Sequence, residues 1–331
     1  MKLKTAALAG LAAVAVAVPV TMTLSAQAEE PEQSAKLAGE FYVDPENNAQ
    51  TWVDENPDSP AAEQIQTEIA DNVVANWYGD WENPTPLKTY VADAAEAGGI
   101  PVVVAYNMYQ RDCNGQSGGG ADDKGAYKEW IEKFAADLGD SNAYVIVEPD
   151  AVSQMVEPCD ELEVDTRKEL LAYAVDQLST KAPNASVYLD AGNAGWPADN
   201  AKIATALKDA GIEKIRGFAM NTSNHYTTEE NDEKAAALLG ELGTDSGYVV
   251  DTSRNGSGKP PEAEEPTWCN PKGATLGETS TEVDGPADAH LWTKVPGDSD
   301  GDCGYGKGLE AGQFSDELAL PLITGDYPDR P

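Results

Sequence analysis

Short apolar runs alternate with helix-length segments along most of this chain, and this alternation constrains its fold more than any other feature. The apolar runs predict strands at 73–79, 100–107, 143–150, 186–192, 215–221 and 247–253, with a shorter one near Leu291. Segments with helical spacing predict helices at 59–71, 88–98, 122–138, 166–180, 198–210 and 228–242. Strands that are separated by single helices form βαβ units and a parallel sheet.

About seven such units favour a closed or nearly closed (β/α) barrel of the α/β class. An open, doubly wound sheet is the alternative. Its dinucleotide-binding form has little support, because no GxGxxG motif opens the first crossover.

The N-terminal residues 1–28 have the pattern of a secretory signal peptide. Lys2 and Lys4 precede an alanine- and valine-rich run, and Ala26-Gln27-Ala28 forms a small-residue cleavage site. A membrane anchor is the alternative, but Pro19 interrupts the run and no second apolar span follows. We therefore expect a secreted, extracellular protein with no membrane association after cleavage. No Pro/Ser-rich linker divides residues 29–331, which predicts a single catalytic-sized domain.

The charge of the chain excludes some classes of partner. It carries 58 acidic against 22 basic residues, a formal net charge of −36. Such a surface repels nucleic acid and anionic membranes, so we expect neither as a partner. Spread charge of this kind is more often a solvation device than a binding site. The sequence gives no sign of an oligomer, and we expect a monomer.

The chain has four cysteines, which in an exported protein suggest two disulfide bonds. Three pairings are possible. We favour Cys113–Cys159 and Cys269–Cys303, because the first two each follow a predicted strand end and the last two lie together late in the chain. A zinc site is the alternative, but the chain has no CxxC pair and only two histidines.

The stretch AYVIVEPD (143–150) combines a buried strand with two acids. Its apolar run lacks helical spacing and reads as a central strand of a parallel sheet. Pro149 ends the strand because it has no N–H to donate, and this leaves Asp150 at the carboxyl end. Chemistry in α/β proteins is usually located at that end of the sheet. Glu148 lies deeper and is expected to be a structural partner.

Charged and aromatic residues cluster where the predicted strands end. The charged and polar ones are Arg111, Asp112, Asp150, Asp190, Asn221, Asp251, Lys294, Asp298 and Asp300. The aromatic ones are Trp77, Tyr78, Trp81, Tyr106, Tyr109, Trp196, Trp268 and Trp292. Each ring alone is more often core filling. Together at one rim, aromatic faces and carboxylates suit a sugar chain, whose C–H faces stack while its hydroxyls form hydrogen bonds.

The sequence lacks the motifs of several other enzyme classes. The sequence has no phosphate-binding loop, GxSxG elbow or HExxH helix, which argues against phosphoryl transfer, a serine hydrolase and a zinc protease. The aspartate-rich DSDGD (298–302) invites a calcium site. It fits an EF-hand loop poorly, because Cys303 stands where glycine is needed and Leu309 where the closing glutamate belongs. A single calcium ion bound by this loop outside an EF-hand is the alternative.

Five ordered motifs make the chain resemble glycoside hydrolase family 6, in particular its secreted bacterial cellulases. They are YNMYQRDCNGQSGGG (106–120), VIVEPDAV (145–152), YLDAGNAGW (188–196), WCNPKGATLG (268–277) and LWTKVPGDSDG (291–301). The match spans nearly the whole mature chain. The resemblance implies a distorted (β/α) barrel, hydrolysis of β-1,4-glucan with inversion at the anomeric carbon, no metal or organic cofactor, and the disulfide pairing favoured above.

The resemblance also implies catalytic roles, residue by residue. Asp150 corresponds to the general acid that protonates the leaving oxygen. Asp112 corresponds to the aspartate that tunes this acid and helps to position water, and Tyr106 would lie under the distorted sugar. Asp300 corresponds to the proposed general base. Inverting hydrolysis needs one protonated and one ionised carboxyl group with a water molecule between them.

The residues expected to bind the substrate are Trp77, Asp190, Asn193, Trp196, Asn221, Trp268, Lys294 and Asp298. Three positions depart from the family pattern: Asn193 replaces a usual histidine, Asp298 a usual glutamate, and Gln116 a common aromatic residue. The compact length favours endo over exo action, since long loops form the tunnels of exo-acting relatives. An exo-acting cellobiohydrolase and a catalytically weakened glucan-binding paralogue are the alternatives.

Overall fold

A computed structural model describes residues 36–261 and 266–329. The predicted signal peptide therefore lies outside the described residues. The helices are α1 Asn48–Glu55, α2 Ala62–Ile65, α3 Leu87–Ala97, α4 Lys124–Leu138, α5 Ala151–Val156, α6 Val164–Lys181, α7 Asn200–Ala210, α8 Thr228–Leu242 and α9 Asp316–Thr324. The strands are β1 Asn76–Tyr78, β2 Val102–Ala105, β3 Tyr144–Val147, β4 Ser186–Asp190, β5 Gly217–Met220, β6 Gly247–Asp251, β7 Thr281–Glu282 and β8 Ala289–Leu291. Within this part of the chain, no helix is long and apolar enough to cross a membrane.

The strands form one curled sheet in the order β1-β2-β3-β4-β5-β6-β8-β7. Every neighbouring pair is parallel except β7 and β8, which are antiparallel. The two ends of the parallel series meet, because the amide of Ala75 before β1 donates to the carbonyl of Trp292 after β8 at 2.9 Å. The predicted distorted barrel with about seven parallel strands is confirmed.

Alternate residues of the strands pack on opposite sides of the barrel wall. On β3, Val145 and Val147 face the helix layer, whereas Tyr144 and Ile146 fill the barrel interior. All four side chains are fully buried, and each apolar one stabilises the fold by about 1.5–3 kcal/mol relative to exposure. Burial on both sides explains why the sequence of this strand is continuously apolar.

Helix boundaries follow local capping chemistry. Thr227 and Glu230 form a capping box at the start of α8, and Gly243 ends it in the left-handed conformation, as the sequence predicted for 228–242. The helix predicted at 59–71 is present over a shorter range: α2 covers four residues and continues as a π-helical turn, Gln66–Ala70. The sequence prediction missed α1, α5, α9 and the two-residue β7.

Candidate active site

A cleft with a volume of about 1480 Å³ opens at the carboxyl ends of the parallel strands. All of the predicted site residues line it except Asp190 and Asn221. Those lining the cleft are Trp77, Tyr106, Asp112, Asp150, Asn193, Trp196, Trp268, Lys294, Asp298 and Asp300. The barrel thus brings together residues from six separate strand ends, as expected for parallel strands whose carboxyl ends meet at one face.

The segment after β3 is held in an uncommon backbone conformation. Glu148 and Asp150 have φ angles of 50° and 69°, in the left-handed region that non-glycine residues seldom adopt. The fully buried Glu148 carboxylate accepts hydrogen bonds from the amides of Asn107 (3.1 Å) and Met108 (2.9 Å), which follow β2. Burial raises the pKa of Glu148 to about 7. Glu148 therefore connects the end of β3 to the segment that follows β2. This is a structural role, as expected from the sequence, and Glu148 lies two residues before Asp150.

Asp150 lies at the cleft wall among other acids. Burial raises its pKa well above the ordinary value, and the negative charges of Asp190 and Asp112 raise it further. Arg167 lowers the pKa, but its effect is the smallest of these. Asp150 is therefore a carboxyl group that keeps its proton well above the pH at which an ordinary aspartate ionises.

Asp112 lies on a loop that is held in place by the Cys113–Cys159 disulfide bond and by Arg111. Its carboxylate accepts a hydrogen bond from the amide of Ser117 at 2.9 Å, and burial raises its pKa. The preceding Arg111 forms a 2.7 Å ion pair with Asp80 and stacks its guanidinium over the ring of Tyr106 at 4.7 Å. These contacts hold the loop beside Tyr106, and the charge of Asp112 acts on the carboxyl group of Asp150.

Asp300 has the opposite electrostatic environment. Its carboxylate forms ion pairs with Arg254 at 2.7 Å and Lys294 at 3.3 Å, and it accepts a hydrogen bond from the amide of Asn270 at 2.9 Å. Burial alone would raise its pKa, but the two cations outweigh burial and hold the pKa well below the ordinary value. Asp300 therefore stays ionised at acidic pH values at which an ordinary aspartate takes up a proton.

Arg254 is a site residue that sequence reasoning missed. It is almost fully buried, and its second guanidinium nitrogen donates to the carbonyl of Ser223 at 2.6 Å. The only sequence signal was its position three residues after the end of β6, a strand end otherwise represented by Asp251.

Asp298 lies on the same loop as Asp300, but its pKa is raised whereas that of Asp300 is lowered. Burial raises its pKa to about 7, although Lys294 acts in the opposite direction. Its carboxylate accepts a hydrogen bond from the side-chain amide of Asn48 at 2.9 Å, and Asn48 belongs to the unpredicted helix α1. The ammonium group of Lys294 donates to the carbonyl of Ser299 at 3.0 Å, so the loop is tied internally.

Asp190 and Asn221 are buried and are not among the residues that line the cleft, and their role as sugar-binding residues stays a prediction. The Asp190 carboxylate accepts hydrogen bonds from the amides of Asp150 (2.9 Å) and Gly192 (3.2 Å). Burial raises the pKa of Asp190 to about 6. The side chain of Asn221 donates to the carbonyl of Asp251 at 2.8 Å. Both side chains form hydrogen bonds with backbone groups at the strand ends, which need partners because they are buried. These bonds hold the backbone of the cleft wall in position.

Aromatic rings line the cleft on several sides. Trp77 packs edge-on against Tyr106, with ring centroids 5.2 Å apart, and its indole N–H donates to the carbonyl of Thr293 at 2.7 Å. Trp196 is half-buried, and Trp268 leaves 47% of its surface exposed. Asn193 lies beside them and accepts a hydrogen bond from the amide of Gly195 at 3.0 Å. The cleft therefore offers flat apolar faces next to carboxyl groups.

The residues that the metal alternatives would use as ligands have other partners. The four cysteines form the disulfides Cys113–Cys159 and Cys269–Cys303, which confirms the favoured pairing and removes the zinc alternative. Among residues 36–261 and 266–329, no group of three or more His, Cys, Asp or Glu residues is arranged to hold a metal ion. In DSDGD, Asp302 accepts a hydrogen bond from the amide of Gly308 while Asp300 binds Arg254, so these acids do not converge.

This site has the parts that hydrolysis of a glycosidic bond requires. A carboxyl group whose pKa is raised and one whose pKa is lowered line the same cleft, and aromatic rings provide surfaces on which sugars stack. Fold and site together define a polysaccharide-cleaving hydrolase.

Comparison with known proteins gives the family. The model of the glycosyl hydrolases family 6 matches residues 36–325. Endoglucanase 1 of Streptomyces halstedii is 42% identical over 294 residues, which cover 86% of this chain and 88% of that protein. A probable exoglucanase GH6D of Podospora anserina is 34% identical over 275 residues, covering 71% of this chain and 63% of its own length.

A solved structure of a related endoglucanase supports the same family assignment. The endoglucanase Cel6 of Mycobacterium tuberculosis, in complex with methyl-cellobiosyl-4-deoxy-4-thio-β-D-cellobioside, has a TM-score of 0.79 and 37% sequence identity, covering 87% of this chain and 97% of that one. The chain therefore belongs to glycosyl hydrolase family 6, as the five motifs indicated, and it is a glycoside hydrolase.

Proposed function

We propose that this chain is a secreted endo-β-1,4-glucanase that cleaves cellulose-type glucan with inversion of the anomeric configuration. The observation that carries this proposal is the opposite surroundings of two acids in one cleft: Asp150 lies among other acids, which raise its pKa, and Asp300 lies against two cations, which lower its pKa. An inverting enzyme needs an acid for the leaving group and a base for the attacking water. Family membership and the similarity to enzymes named endoglucanase support the substrate.

Asp150 acts as the general acid. Its proton passes to the glycosidic oxygen as the bond to the anomeric carbon breaks, and the departing sugar leaves as a neutral alcohol. Asp112 and Asp190 keep this proton in place, because a second or third negative charge close by disfavours ionisation. The hydrogen bond from the Asp150 amide to Asp190 fixes the backbone from which the acid projects.

Asp300 acts as the base for the attacking water. One carboxylate oxygen is occupied by Arg254 and by the amide of Asn270. The other lies 3.3 Å from the ammonium group of Lys294 and keeps capacity to accept a proton from water. The two cations that keep Asp300 ionised also make it a weaker base, and the proton that it accepts from water as the new bond forms passes readily on to solvent.

The remaining cleft residues hold the glucan. Tyr106 lies under the sugar whose bond is cleaved, and Trp77 supports it edge-on. Trp196 and Trp268 offer faces for neighbouring glucosyl residues, and Asn193, Lys294 and Asp298 offer hydrogen bonds to hydroxyl groups. No metal or organic cofactor takes part, and the enzyme works as a monomer.

Wild type, Asp150→Asn and Asp300→Asn are compared on carboxymethylcellulose, with Asp209→Asn, a surface change in α7, as the matched control. Viscosity, reducing ends and the anomeric form of new sugars are followed. We expect wild type and the control to lower viscosity steeply per reducing end and to release α-anomers first, while both site variants lose activity. A β-anomer as the first product contradicts inversion, and near-full activity of Asp300→Asn reassigns the base.

The same assay separates the other candidate functions. A slow fall of viscosity per reducing end indicates the exo-acting cellobiohydrolase. Retained glucan binding without hydrolysis by wild type indicates a binding paralogue. Secretion is tested by sequencing the N-terminus of the exported protein, which we expect to begin at residue 29.

A further inference from the structure

Trp81 is an exposed ring on the cleft wall that belongs to the aromatic residues of the predicted rim but not to the residues expected to bind the substrate. It follows β1 by three residues and lines the same cleft as Trp77. It leaves 43% of its surface exposed, close to the value for Trp268. A flat apolar ring that is exposed on a cleft wall is available to stack on a ligand.

The Trp81 ring is fixed in place before any ligand arrives. The guanidinium of Arg111 lies 5.4 Å from the ring centroid. The ring also lies against the backbone at Gly79, where a Cβ atom would come within 2.1 Å of it, so only glycine permits this position. Its loop is tied by the Asp80–Arg111 ion pair at 2.7 Å and by a 2.7 Å hydrogen bond from Asn83 to the carbonyl of Trp77.

The same arginine connects Trp81 to the reaction centre. The Arg111 guanidinium contacts both the Trp81 ring and the Tyr106 ring, at 5.4 and 4.7 Å. The two rings therefore belong to one aromatic and cationic stack at the cleft wall. Both rings line the same cleft, so Trp81 lies on the wall along which a glucan chain with one sugar over Tyr106 can extend.

We propose that Trp81 is the platform of an additional glucosyl subsite, which makes the enzyme favour longer β-1,4-glucan chains. The proposal rests on the proposed function and specifies its substrate. The exposed ring offers a flat apolar face to the C–H face of a sugar. A stacked pair is worth up to about 1.4 kcal/mol, which corresponds to an affinity change of up to about tenfold.

The alternative role for Trp81 is a cover for Arg111, without contact to the substrate. Trp81→Leu separates the two, because leucine keeps apolar cover over the guanidinium but has no flat face. Trp81→Phe restores a ring. Trp130→Leu, on α4 and stacked against Phe134, is the matched control away from the cleft.

Binding of cellohexaose and cellobiose is measured by calorimetry in the Asp150→Asn background, so that no hydrolysis interferes. We expect Trp81→Leu to weaken cellohexaose binding by up to about tenfold and cellobiose binding by less than about twofold. We expect Trp81→Phe to recover most of the loss, and the control to change neither affinity. In enzyme with Asp150 intact, we expect Trp81→Leu to leave the pH profile of hydrolysis unshifted.

Equal weakening for both sugars, a shifted pH profile, or no change in cellohexaose affinity would each overturn the proposal. If wild type hydrolyses no β-1,4-glucan but the length-dependent loss of binding is found, the proposed function fails while the Trp81 platform stands.

Discussion

Two groups of acids in the same cleft differ in the charges that surround them. Asp150 lies with Asp112 and Asp190, and its neighbours add mainly negative charge. Asp300 lies against Arg254 and Lys294. Both carboxyl groups come from segments at the carboxyl ends of parallel strands, and burial acts on both in the same direction. Their pKa values nevertheless move apart, up for Asp150 and down for Asp300.

The position of an acid at a strand end brings it to the cleft. The charges of its neighbours then set its pKa and with it the role that the acid can take in catalysis. A carboxyl group among other carboxyl groups keeps its proton and can act as an acid. One that is paired with two cations loses its proton and can act as a base.

Removing the acid has the largest expected effect. Asp150→Asn should lower kcat on cellulose by about 10²–10⁴-fold, because general acid catalysis typically contributes that much. A substrate with an activated phenolic leaving group needs little protonation, so its hydrolysis should be largely retained. Asp300→Asn should lose activity on both substrates, since the water still needs a base. Parallel losses for both variants on both substrates would contradict the division of roles.

Removing the main cation at Asp300 should destabilise the protein. Arg254→Gln leaves a buried carboxylate with one cation, and breaking a buried pair costs about 3–5 kcal/mol of unfolding free energy. Chemical denaturation measures this loss. Lys168→Gln removes a cation from an exposed pair with Asp209 and should cost less than about 1 kcal/mol. Equal costs for the two variants would mean that Arg254 does not stabilise the charge of Asp300.

Asp150→Asn should stabilise the folded protein at neutral pH. The pKa of Asp150 is raised in the folded state, so between the unfolded value of about 3.9 and the folded value only the folded state holds the proton. Its contribution to stability is therefore complete below pH ~4 and is lost as pH rises through this window.

The asparagine variant does not suffer this loss. At pH 7 its unfolding free energy should exceed that of wild type, because the folded wild type holds a carboxyl group whose pKa is raised by burial and by neighbouring acids. At pH 3 the two proteins should differ little. Urea denaturation at both pH values measures the difference, and a variant that is less stable at pH 7 would show that Asp150 is ionised there.

The smallest expected effect concerns Asn48. Asn48→Ala removes the 2.9 Å hydrogen bond to Asp298 and should lower the unfolding free energy by about 1 kcal/mol. It should also raise the pKa of Asp298 further, because this hydrogen bond lowers it. Asn72→Ala, which removes an exposed hydrogen bond to the carbonyl of Thr67, is the control and should cost less than about 0.5 kcal/mol. Equal losses would mean that Asn48 does not support the cleft.

The barrel and most of the cleft were predictable from sequence. Apolar strands and single helices alternate with clear periods, and parallel strands must bring their ends together. The order of strands and helices alone therefore places Asp150 and Asp300 at one face of the barrel. The motifs then assigned their roles by resemblance.

The surroundings of each acid were not predictable. Asn48 and Asp298 meet across 250 residues of sequence, and α1 gave no signal that it contributes to the cleft. Asp190 and Asn221 turned inward, because a strand end can point a side chain toward the cleft or toward backbone groups that need partners. The pairing of Asp300 with Arg254 depends on side-chain packing, which periodicity does not report.

The most direct test of the central claim is a carbon-13 NMR titration of the aspartate carboxyl groups, with Asp150→Asn and Asp300→Asn used to assign the two signals. We expect the Asp150 signal to titrate well above the ordinary aspartate range and the Asp300 signal to remain that of a carboxylate down to the lowest pH at which the protein is folded. An Asp150 signal that titrates near pH 4, or an Asp300 signal that titrates above it, would contradict the account.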